Sequence, residues 1–200
     1  MRLVKGKGSP DTGACWMSAI HYYTRTDQTW SDHPACVSPV IGMLAMALND
    51  LCEDGERETL IGPHLFAPVG TNTGLADDLI RTKMAADVAS EWAKGIVDAD
   101  ACLLAVSRAK AAHDKVTKAS TFASAGHIMW AESTAVYAAQ WALYTAGSVI
   151  PYIGLARCKK ELLNLILRCC AVGAKQEVCQ RPCTGEAWAP EALPIAEVAR

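Results

Sequence analysis

Apolar positions along this chain recur three and four residues apart, the helical period, and no stretch of length shows strand-type alternation. The first apolar run, Cys15 to Tyr23, predicts a short helix over 14–24, with Asp11 or Thr12 available as its cap. Ser38 followed by Pro39 reads as an N-cap and first helical residue, opening a helix that runs to Leu51. Its apolar residues Val40, Met43, Leu44, Ala47, Leu48 and Leu51 mark one face. Asp54-Gly55 interrupts, and a short helix follows over 56–61 with Asp54 as cap.

The glycines and prolines between Gly62 and Gly74 form the clearest boundary in the chain. Beyond it the texture changes to alanine-rich helix. Met84, Val88, Trp92 and Ile96, four apart, predict a helix over 75–95. Asp98 or Asp100 opens a second helix to Lys118, and Ser120 or Thr121 a third to Ala146. A last one, over 154–172, carries Leu155, Leu162, Leu165, Ile166 and Cys169 inward and stops at Gly173. The organisation expected is a flexible arm over 1–13, an N-terminal helical unit over 14–74, an alanine-rich bundle over 75–173 and an irregular tail over 174–200. The fold class is all-α, with short helices and irregular loops packed on an antiparallel bundle of about four helices.

Composition narrows the function classes. Of 200 residues 51% are hydrophobic and 20% charged, so a folded globular chain is expected. A net charge of -2 disfavours bulk nucleic-acid binding. The 34 alanines favour closely packed helices but supply little large apolar surface, which makes a homo-oligomer the expected state. The opening Met1 to Pro10 lacks the apolar core of a signal peptide, so the nine cysteines read as reduced thiols in a cytoplasm. Residues 133–156 carry no charged side chain, yet their alanines, with Gln140 and Pro151, fit a buried core helix better than a membrane span.

Several segments of the first third carry a resemblance. Gly13-Ala14-Cys15-Trp16-Met17-Ser18-Ala19 is followed by Ser31-Asp32-His33-Pro34-Ala35-Cys36-Val37-Ser38-Pro39-Val40-Ile41, then by Asn49-Asp50, Arg57, Leu60-Ile61 and Gly70-Thr71. This pattern resembles a group of uncharacterised proteins of actinobacteria and their phages, with an Asp-His-Pro-x-Cys-x-x-Pro-Val-Ile segment and an Asn-Asp pair. Ser18 stands where that group more often has Glu. The resemblance implies an origin and a shared fold, and no reaction.

Candidate chemistry centres on Cys15. Gly13-Ala14-Cys15-Trp16 at a helix start looks like the Cys-Trp of papain-like proteases, and a helix N-terminus favours thiolate. A nucleophile needs a base, and His21, His33, His64, His113 and His127 are all available. The candidate set is Cys15 with His33 and Asp32, although adjacency alone does not orient the imidazole and Asp32-His33-Pro34 also reads as a cap or buried polar network. The competing reading packs Cys15, Trp16 and Ile20 into the core. Asn49-Asp50 and the hydroxyl- and amide-rich Thr71-Asn72-Thr73 form a candidate ligand site, Asn49-Asp50 tying back to the Asp32-His33-Pro34 turn. Among Cys169, Cys170, Cys179 and Cys183, the spacing of Cys179 and Cys183 suits zinc, but the adjacent Cys169-Cys170 pair does not, because helical neighbours diverge by about 100°. His127 reads as an interior histidine. No motif implies a cofactor or a metal. The expected function is a non-enzymatic binding or assembly protein with a small-molecule or protein ligand, an accessory of a bacteriophage or mobile element. The alternative is a cysteine-dependent hydrolase or transferase using Cys15 with a histidine.

Overall fold

A computed structural model describes residues 1–6, 8–9, 11–24, 30–94, 107, 111, 150–151 and 153–173. These are mostly helical. Strands β1 (Gly8–Ser9) and β2 (Gly13–Ala14) form a two-stranded antiparallel sheet. Among the described residues five α-helices follow: α1 (Trp16–Thr24), α2 (Pro39–Leu51), α3 (Glu56–Leu60), α4 (Leu75–Lys94) and α5 (Leu155–Cys170). The helices predicted over 98–118 and 120–146, His127, the tail from 174 and most of the uncharged 133–156 stretch lie outside the described residues. Among the described residues no helix is long and apolar enough to cross a membrane.

The opening residues pack rather than project, contrary to the expected flexible arm. Leu3 is 2% exposed and bridges in parallel to Ala14, with Val4 N–H on Ala14 O and Ala14 N–H on Arg2 O, both 2.9 Å. Gly13 makes this approach feasible. Its φ is 108°, and a Cβ there would lie 2.6 Å from Arg2 O.

Helix α2 begins as its sequence dictates: Ser38 Oγ accepts the Ile41 N–H, and Pro39 occupies the first turn, where no N–H is needed. Its buried face is Val40, Ile41, Leu44, Ala45, Leu48 and Asn49, turned slightly from the predicted one. The cause is that α2 packs against α1, α4 and α5 together, so Met43, Ala47 and Leu51 stay half-buried at the margin. Gly55, at φ 83°, takes the cap position of α3, and the Asp54 carboxylate goes to Arg57 instead.

Helix α4 departs most from expectation. It buries Ala85, Ala86, Ala89, Trp92 and Ala93, with Asp78, Arg81 and Thr82, while Met84 and Val88 stay half-buried and Ile80 is exposed. Small side chains let helix axes approach closely, and the polar trio needs the same inward side. Helix α5 buries Leu162, Leu165, Ile166 and Cys169 as predicted, but Leu155 is exposed. Gly173 ends the α5 region at φ 67° against Asp77, where a Cβ would meet the carboxylate at 2.0 Å.

Candidate functional site

Cys15 sits in the core, 4% exposed, immediately before α1. Its Sγ accepts the Ser18 N–H at 3.3 Å and donates to Ser18 Oγ at 3.3 Å, while Cys15 O accepts the Ala19 N–H. That is the geometry of a helix N-cap, with sulfur in place of oxygen. Trp16 and Ile20, both 0% exposed, join Cys15 in the hydrophobic core.

His33 and Asp32 do meet, Nε2 to Oδ1 at 3.6 Å, but the His33 side chain is 78% exposed. Cys15 is thus interior and His33 superficial, and none of the described contacts joins them. Asp32 and His33 form a surface pair beside a turn in which Ser31 Oγ accepts the His33 N–H.

The candidate ligand residues are absorbed by the scaffold. Asn49, fully buried, accepts the Trp16 N–H at 3.2 Å and donates from Nδ2 to Val4 O at 2.9 Å. It ties α2 to the chain's opening residues, rather than to the Asp32-His33-Pro34 turn as expected. Asp50 accepts the Gly6 N–H at 3.4 Å on the surface. Thr71 Oγ1 donates to Pro68 O at 2.6 Å and accepts the Ser38 N–H at 3.0 Å. Asn72 Nδ2 donates to Ala35 O, which holds the loop before α2 against the loop before α4. Thr73 Oγ1 accepts from Arg81 Nη2 at 3.2 Å.

Two buried arginines close helix ends, and sequence reasoning missed both roles. Arg57, 2% exposed, donates from Nε to Asn49 O at 2.9 Å and from Nη2 to Cys52 O, satisfying carbonyls at the end of α2. Arg81, 0% exposed, donates from Nε to Cys169 O at 3.1 Å and from Nη2 to Val172 O at 2.6 Å, doing the same for α5. Each is neutralised by an aspartate three residues earlier: Asp54 for Arg57 and Asp78 for Arg81, both at 2.7 Å. The Asp-x-x-Arg spacing was visible in the sequence but reads equally as a solvated helical pair. Lys159, 5% exposed, reaches from α5 to Glu56 of α3 at 2.5 Å.

Burial pushes Cys158 and Cys170 up to about 11 and Cys169 up to about 12, and it also raises Cys52. None of Cys15, Cys36, Cys52, Cys158, Cys169 and Cys170 is bridged. Among the described residues no group of three His, Cys, Asp or Glu side chains could hold a metal ion.

A concave surface lies between α4 and α5, a groove of about 570 Å³. Met84, Val88, Trp92 and Leu165 form its apolar part, Asp87 and Glu91 line it from α4, and Arg157 and Arg168 from α5. Glu161 accepts from Arg157 Nε at 2.7 Å and from the Trp92 indole N–H. Burial raises the Glu161 carboxyl, but the hydrogen bonds from Arg157 and Trp92 and the Arg157 charge outweigh it and leave the pKa lowered. The groove presents fixed charge of both signs over an apolar floor, an arrangement suited to docking. No family model, no curated protein and no solved structure matches the chain.

Proposed function

We propose that this chain is a non-enzymatic binding and assembly protein whose contact surface is the α4–α5 groove. The observation that carries the reading is the fate of the candidate chemistry. Cys15 caps a helix, and Asn49, Thr71 and Thr73 hold one element to another. Asp32 and His33 form a surface pair away from Cys15, and the buried candidates make the scaffold. The groove, in contrast, combines the half-buried Met84 and Val88 over a floor of Trp92 and Leu165 with charged rims.

In this reading residues 75–173 complete an antiparallel alanine-rich bundle, the chain works as a homo-oligomer in a bacterial cytoplasm, and it serves a bacteriophage or mobile element. The phage assignment rests on the resemblance of the first third. Asn49, Arg57 and Thr71, three residues that carry that resemblance, are internal ties, as residues shared for fold rather than reaction would be. The cysteine-hydrolase alternative would require Cys15 to leave its cap and reach the surface.

Native mass spectrometry of gently purified protein tests the proposal. It expects a discrete oligomer or a co-purified mass. A bare monomer that turns over an acyl substrate, with turnover lost in Cys15→Ser, would overturn it.

A further inference from the structure

We infer that the occupant of the α4–α5 groove is a second copy of this chain, set against the first by a two-fold axis. This rests on the assembly reading above and names its partner and surface. Three observations point there. First, α4 turns Ala85, Ala86, Ala89, Trp92 and Ala93 inward, while Ile80 is 51% exposed and Met84 and Val88 are half-buried. Such a stripe gains from cover. Second, the α4 rim contributes two carboxylates, Asp87 and Glu91, and the α5 rim two guanidiniums, Arg157 and Arg168. A two-fold contact puts the same patch on both sides, so it must be self-complementary. Glu161 also lines the groove from α5 and holds Arg157 at 2.7 Å, so that rim is basic by the excess of two guanidiniums over one carboxylate, and the condition is met when the acidic rim of each copy faces the basic rim of the other.

The third is size. Helix α4 has 20 residues and α5 has 16. At about 1.5 Å per residue and about 10 Å per helix diameter, the two-helix face spans roughly 30 by 20 Å. The groove itself is lined from Met84 to Trp92 and from Arg157 to Arg168, and two whole faces of this size give at most about 1,200 Å², the lower end of a specific interface. The present partners of the rim carboxylates do not oppose this. Asp87 pairs with Lys83 at 2.8 Å and Glu91 with Lys94 at 2.5 Å, both exposed pairs along one helix that exchange readily.

Rim reversal tests the contact in the full chain. The variant Asp87→Lys/Glu91→Lys makes both rims basic, and Arg157→Glu/Arg168→Glu makes both acidic. Sedimentation velocity from about 1 to about 100 µM brackets a micromolar dimer. The expected result is a wild-type dimer, each reversed variant at least about tenfold weaker in self-association, and a dimer again when the two variants are mixed, since opposite rims then meet. Circular dichroism checks that each variant folds. If Arg157→Glu disturbs its contact with Glu161, the Arg168→Glu single variant takes its place. A wild-type oligomer indifferent to both reversals would overturn this contact and leave the assembly reading standing. A monomer carrying a co-purified mass would overturn the second-copy partner and leave the binding reading. A bare monomer would overturn both.

Discussion

Asp78 Oδ1 accepts the Ser38 hydroxyl at 2.5 Å and the Arg81 guanidinium at 2.7 Å, so one buried carboxylate oxygen couples the N-cap of α2 to the residue that closes the end of α5. Three segments distant in sequence meet there. A buried pair is costly to break from one side, because the remaining charge has no water to return to. Arg81→Met is expected to lose about 3–5 kcal/mol in urea unfolding. Adding Asp78→Asn to it is expected to cost less than the two single losses combined, by about 1 kcal/mol or more. Additive losses would show that the contact carries no coupling.

Asn49 is the second junction. Replacing it with leucine leaves the Trp16 N–H and Val4 O without their partner, at about 1–3 kcal/mol for each buried polar group. The neighbouring Asp50, on the surface, makes only a 3.4 Å contact, and Asp50→Ala is expected within about 0.5 kcal/mol of wild type. Thermal unfolding of the two variants checks the contrast. Equal effects would mean that the Asn-Asp pair acts as a unit, as a ligand site would.

Much of this was legible in the sequence. Ser38-Pro39 announced the start of α2, and Gly173 the end of α5. What failed to show was long-range. Nothing near Leu3 reveals that Ala14 lies beside it, because the bridge depends on Gly13 admitting a close backbone. Met84 and Val88 followed the helical period, yet the alanine side faces inward, since periodicity finds a face without telling which neighbour covers it. Asp78 and Arg81 look like an ordinary solvated pair until α5 delivers its carbonyls to the arginine.

Alkaline pH should weaken the fold. Cys158, Cys169 and Cys170 are raised by burial to about 11, 12 and 11 from an ordinary value of 9.0. The folded chain keeps these protons where the unfolded chain releases them. Their contribution is therefore complete below about pH 9 and declines as pH rises toward the folded values. Urea midpoints across this range should fall, and Cys169→Ala should flatten the fall. A midpoint constant from about pH 8 to about pH 11 would contradict the burial of these thiols.

Acid should act through the carboxylates of α3 and α5. The Glu56 carboxyl is lowered from 4.5, chiefly by the hydrogen bond from Lys159, and Glu161 is lowered in net by Arg157 and Trp92. A lowered acid contributes stability that is present above its unfolded pKa and lost as pH falls through the folded one. The expected loss begins near pH 4.5 and is smaller in Glu56→Gln. An acid profile unchanged in that variant would remove Glu56 from the account.

The role of Cys15 is the most direct point of decision, since a capping thiol and a nucleophile react differently. Iodoacetamide labelling of the folded chain at neutral pH, resolved by residue in a mass spectrometer, measures it. The structure, with Cys15 4% exposed and its sulfur engaged by Ser18, predicts that Cys15 labels as slowly as Cys169 and at the rate of unfolding. A rapid burst of label at Cys15 alone, with Cys169 still protected, would contradict it and put the hydrolase reading in its place.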